Sequence, residues 1–150
     1  MRRPGHRRVV TGLDADGRST VLFDDEIPRS DELSVAFVWR SGIPADNSDR
    51  EDTAVPYTTA LLQSGHANFM VCSFPARSGG EMHATDTVDY LVILSGRVTL
   101  VLEDGEAELG PGDFVVDRGV LHAWRNDGDE TCTAAAVNIP AHPVGAGRTI

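Results

Sequence analysis

Short apolar runs, each closed by Gly, Pro, Asp or Asn, follow one another through the second half of this chain, and no segment carries a ten-residue helical period. The runs cover residues 69–74, 87–94, 97–102, 106–109, 113–116, 121–125 and 131–139. Each is too short to bury itself as a helix, and the turn residues between them fold successive runs back on one another. An antiparallel sandwich or barrel is the expected result. Upstream, residues 8–11 and 19–23 flank Asp14-Ala15-Asp16-Gly17, whose Asp-Gly pair supplies the positive φ angles of a tight hairpin. A further strand is expected at 35–39, and the polar stretch 46–53 reads as a surface loop or lid. At 150 residues and 41% hydrophobic, the chain suits one domain. Its parts are an N-terminal hairpin, loop and strand extension over 1–67, a barrel core over 68–139 and a tail over 140–150.

Charge narrows the partners. Acidic residues number 23 against 13 basic ones, all arginine, for a net charge of −10. Nucleic acid and anionic membranes are unsuitable partners for such a surface. The absence of lysine removes Schiff-base chemistry and phosphate loops. The basic start Met1-Arg2-Arg3 leads into an apolar run that ends at Val9-Val10, so no secretory segment is expected. No run approaches the roughly 18 apolar residues of a membrane span, and a cytoplasmic setting is expected. Cys72 and Cys132 lack metal-type spacing and read as two buried thiols.

Two segments carry chemistry. Strand alternation puts His83, Thr85, Asp89, Leu91 and Ile93 on one face, polar at its start and aliphatic at its end. His122, Trp124 and Asn126 share a face in the same way. A carboxylate such as Asp89 in an apolar strand is costly to bury alone, so a metal, a histidine or a substrate is expected beside it. Of the 23 acids, Asp89 alone is expected in the interior, while Asp24-Asp25-Glu26 is expected to face water. Phe74, Trp124 and Met70 are candidate pocket walls or core residues. Glu81, in the Gly79-Gly80 loop, is a candidate proton-transfer group or a solvated loop residue. His6, His66 and His142 have no partner pattern.

The run from Gly79-Gly80-Glu81-Met82-His83 through Asp89 to Gly96, followed by Pro111-Gly112-Asp113 through Gly119 and His122 to Asn126, resembles the two motifs of the cupin superfamily. The resemblance implies an all-β, single-domain jelly-roll barrel whose N-terminal strands extend the sheets and pack across a twofold interface, making a homodimer. Three departures stand out. Thr85 replaces the second histidine of the first motif, Asp89 replaces its glutamate, and Asp117-Arg118 stands where a proline precedes the glycine of the second. The resemblance then implies two alternatives. In one, His83, Asp89 and His122 hold one divalent transition metal, iron, zinc, manganese or nickel. In the other they work metal-free in proton transfer, as the catalytic set. Thr85, Trp124, Phe74, Met70 and Glu81 would contact a small oxygenated or aromatic compound undergoing dehydration, cyclisation, isomerisation, decarboxylation or dioxygenation. A small-ligand-binding or sensing barrel without turnover is the alternative from another class.

Overall fold

The structure is a computed structural model that describes residues 5–27 and 35–150. The basic start Met1–Pro4 and the part of the 24–52 loop containing Pro28 lie outside the described residues.

The expected hairpin forms from β1 (Arg7–Leu13) and β2 (Ser19–Glu26). Asp14 builds its turn, accepting the backbone N–H groups of Asp16 and Arg18 on Oδ1 at 2.9 Å, and Gly17 adopts φ +74°. The hairpin is a separate two-stranded sheet. Arg8 docks it on the body. This side chain is buried, pairs with both Asp25 and Asp52 at 2.7 Å and donates to Val38 O. Asp25 therefore does not simply face water, because it neutralises a buried guanidinium. Asp52 ties down the 46–53 loop in the same cluster, aided by the Arg40 N–H donating to Thr53 Oγ1 at 2.7 Å.

The barrel follows from β3 (Val35–Ser41), a one-turn 3-10 helix (Thr59–Gln63), β4 (Ala67–Phe74), β5 (Ser78–Gly79), β6 (Thr87–Ser95), β7 (Val98–Leu102), β8 (Glu106–Leu109), β9 (Phe114–Asp117), β10 (His122–Asn126) and β11 (Cys132–Pro140). They form a five-stranded sheet, β3-β4-β11-β6-β9, and a four-stranded one, β5-β10-β7-β8, with antiparallel pairings in both. Between the sheets lie Phe37, Met70, Leu91, Ile93, Val98, Leu100, Val115, Cys132, Ala134 and Ala136. Period-two alternation produces this core, since Leu91 and Ile93 point in while Tyr90 and Leu94 point out. Cys72 and Cys132 are both free; Cys132 is fully buried, whereas Cys72 lines a cavity. No helix among the described residues is long and apolar enough to cross a membrane.

Candidate functional site

Apolar packing fills one part of the barrel and leaves the rest as a cavity of about 450 Å³. His83, Thr85, Asp89, His122, Trp124, Phe74 and Met70 all line it, so most of the residues singled out in the sequence come together. Glu81 does not. It is exposed and outside the lining, and only its backbone carbonyl reaches the site, at 2.9 Å from His83 Nδ1.

The two histidines are held by backbone. His83 and His122 form an isolated antiparallel bridge, each N–H donating to the other's carbonyl at 2.9 and 3.0 Å, which brings the ring centroids to 4.5 Å. Each Nδ1 lies 2.9 Å from the carbonyl two residues earlier, Glu81 O for His83 and Val120 O for His122. A carbonyl only accepts, so both Nδ1 atoms carry the proton and both Nε2 atoms are left free.

The carboxylates are placed by register. Asp89 on β6 is the direct cross-strand partner of Asp117 on β9. Asp117 is buried at 5% exposure, and its Oδ2 lies 2.9 Å from His122 Nδ1. That nitrogen has one proton and two oxygens in reach. Val120 O takes the directed bond, so Asp117 Oδ2 contributes charge rather than a well-aligned hydrogen bond and has no other partner. Thr87 Oγ1 donates to Asp89 Oδ1 at 2.8 Å, which leaves Thr87 to accept from Thr85 Oγ1 at 2.7 Å.

These neighbours set protonation. Burial raises the Asp89 pKa above the ordinary carboxylate range, and the facing Asp117 adds to this, against the Thr87 hydrogen bond and the two histidines. Burial alone would lower the His122 pKa, but contact with Asp117, the Val120 carbonyl and the Asp89 charge outweigh it and hold His122 above its ordinary value. The carboxylate beside His122 Nδ1 is therefore Asp117, not Asp89, and the interior holds a second acid that the sequence reading placed outside the site. Its signal was present: Asp117 stands two residues beyond the inward Val115.

Among the described residues, no group of three or more His, Cys, Asp or Glu side chains is arranged to hold a metal ion. The Thr85 hydroxyl, in the second histidine's place, is occupied by Thr87, as is Asp89 Oδ1. The imidazoles of His83 and His122 and the hydrogen-bonded Asp89 carboxylate are the donors this wall presents, and they are not gathered into a three-ligand set in this structure. The rest of the wall includes Tyr57, Leu62, Asn138 and Ile150, from segments without motif signals. Phe74 and Trp124 pack at 5.1 Å between centroids and form the aromatic side.

A two-sheet antiparallel barrel with an internal cavity, into which a histidine enters just before β6 and another on β10, is the architecture of a cupin. The chain belongs to the cupin superfamily: the "Cupin domain" family model matches residues 70–138. It is 34% identical over 138 residues to phomopsin biosynthesis cluster protein C' of Diaporthe leptostromiformis, covering 79% of this chain and 69% of that one. With a cupin-domain-containing oxidoreductase of Neurospora crassa it shares 30% identity over 85% of this chain and 70% of the relative. Among solved structures, it is similar to the polyketide cyclase RemF from Streptomyces resistomycificus, at 22% identity and TM-score 0.46, over 56% of this chain and 57% of that one. It is also similar to the DMSP lyase DddQ from Ruegeria pomeroyi, at 27% identity and TM-score 0.45, over 49% of this chain and 38% of the other.

Proposed function

We propose that the protein is a small-molecule-converting cupin that transfers protons within its cavity, with His83 and His122 as the exchanging groups. The observation that carries this reading is the histidine pair, two imidazoles 4.5 Å apart with Nδ1 anchored and Nε2 free. Flanking carboxylates favour the imidazolium form of His122, which suits it to give a proton to a substrate oxygen. His83, whose Nδ1 faces a backbone carbonyl, takes a proton from an acidic C–H. Asp89 supplies the charge that balances the pair. The cavity lies within the range of about 300–1,000 Å³ common for small-ligand sites. Its polar end, His83, Thr85 and Asp89, and its apolar side, Phe74, Trp124, Met70 and Leu91, suit an oxygenated compound with an aromatic or otherwise apolar part. Dehydration, cyclisation and isomerisation all need this pairing of acid and base. The Diaporthe relatives are named for a biosynthesis cluster, which supports small organic chemistry as the setting.

The test is proton exchange. Incubated in D₂O with a panel of hydroxylated aryl ketones, the protein is expected to catalyse deuterium incorporation next to the carbonyl, and His83→Ala and His122→Ala are expected to abolish it. Metal analysis of protein purified without chelators is expected to find far less than one equivalent. A stoichiometric transition metal, lost in His122→Ala, would overturn the metal-free reading. Saturable binding of panel members with no exchange would replace catalysis by sensing.

A further inference from the structure

The segment after β11 has no part in the proton chemistry, yet its Ile150 lines the cavity. Ala141 N donates to Asp86 O at 3.0 Å, Arg148 N to Asp86 Oδ1 at 2.8 Å and Thr149 N to Ala84 O at 2.9 Å, while Ala84 N donates to Thr149 Oγ1 at 2.9 Å. Gln63, ending the 3-10 helix, works in both directions. Its Nε2 donates to Ile150 O at 2.7 Å, and its Oε1 accepts from Asp86 N at 3.0 Å. The tail is thus stitched to two elements that both line the cavity, the loop bearing His83 and Thr85 and the helix bearing Leu62. The turn that lets it return is tight. Gly147 has φ +86°, and a Cβ there would lie 3.3 Å from Asp86 Oδ1 and 3.4 Å from Pro143 Cβ.

Ile150 belongs to the cavity lining while remaining 51% exposed. A side chain that faces both cavity and solvent stands at the rim. What holds it is a set of hydrogen bonds at exposed or half-buried positions rather than apolar burial, and such contacts open locally without disturbing the sheets.

We propose that residues 148–150 form a hinged wall of the cavity, with Ile150 as a specificity-determining rim residue, so that the tail sets the width of the molecule admitted beside His83. The wall rests on the cavity being the ligand site, but entry can be read without turnover and without knowing the ligand. Cys72 lines the same cavity and Cys132 is fully buried, so Cys72 reports what gets in. Burial pushes the Cys72 thiol up to about 12, so labelling is slow in the parent protein and an acceleration is easy to see.

The experiment compares iodoacetamide with the much larger fluorescein-5-maleimide, scoring Cys72 by peptide mass. The ratio of bulky to small labelling cancels the shared thiol chemistry and reports the width of the opening. Ile150→Gly and Gln63→Ala are expected to raise that ratio about fivefold to tenfold, the change in an opening equilibrium when one hydrogen bond or its equivalent is lost. Ile150→Trp is expected to lower it. A ratio that stays the same in both Ile150→Gly and Ile150→Trp, with melting temperatures unchanged, overturns the proposal. A protein with the expected ratios but no proton exchange on any ketone retains the wall and loses the proton chemistry; the reverse result loses the wall alone.

Discussion

Asp89 and Asp117 face each other directly across β6 and β9, and this pairing makes the site electrostatically tense. His122 answers part of that charge. Its proton binds more tightly in the folded protein, so the stabilisation it brings is complete below its unfolded value of about 6.5 and is lost as pH rises through the higher folded value. Asp117→Asn is expected to move the His122 titration midpoint down, as read from its ring proton shifts, and to lower proton-exchange kcat more than KM. An unmoved midpoint would remove Asp117 from the site. Asp89 runs in the same direction with pH, but as the cost of its buried charged form rather than as a gain from it. Its folded value lies above its unfolded one, so folding loses stability as pH rises between the two, and the full cost persists above the folded value. Asp89→Asn is therefore expected to stabilise the protein by about 1 kcal/mol at pH 7 and by much less at pH 4, while abolishing exchange. Equal melting temperatures of variant and parent at pH 7 would show that the carboxylate is not paying for burial.

The motif glycines explain themselves at the level of elements. Gly96, in the β6–β7 turn, has φ +76°, and a Cβ there would fall 2.6 Å from Thr131 O and 2.8 Å from Cys132 Cα. Both are backbone atoms of the start of β11 and its approach, so no rotamer change relieves the clash. Gly96→Ala is expected to cost at least about 2 kcal/mol in urea unfolding with an unchanged m-value, and a loss under about 0.5 kcal/mol would contradict the close approach. Such positions are why the barrel was readable from sequence: turn residues and period-two alternation are local, and they gave the strands and the shared face of His83, Thr85 and Asp89. What was not readable depends on distant pairing. The two-residue β5 is too short to leave a pattern, and its pairing with β10 exists only once the barrel closes. Asp117 needed the β6–β9 register to become Asp89's neighbour, and Arg8's burial required two acids, Asp25 and Asp52, brought together by folding. Tyr57 and Ile150 reach the cavity from irregular segments, where no periodicity says which way a side chain points.

For the whole molecule, the outer face of the five-stranded sheet poses the remaining physical question. Register aligns Phe69, Val137, Tyr90 and Val116 in one row across β4, β11, β6 and β9, with Val71, Ala135, Val92 and Phe114 in the row beside it. Neither row contains a charge, and Phe114 is 81% and Val116 61% exposed. A contiguous apolar surface of this kind is unfavourable in water and normally covered. A second copy is the occupant we propose, because two chains of net charge −10 repel one another across most approaches and a charge-free face is where that repulsion is least. Light scattering after size exclusion is expected to give twice the 16.1 kDa chain mass at micromolar concentration. The dimer should tighten as salt screens the net charge, whereas an association built on ion pairs would weaken. Phe114→Asp combined with Tyr90→Asp is expected to return the mass to 16.1 kDa without lowering intrachain stability, since both side chains are exposed in the single chain. A parent protein that is already monomeric, or a double variant that stays dimeric, would show that this face does not join the copies. If the variant becomes monomeric but keeps its proton exchange, the cavity is complete within one chain.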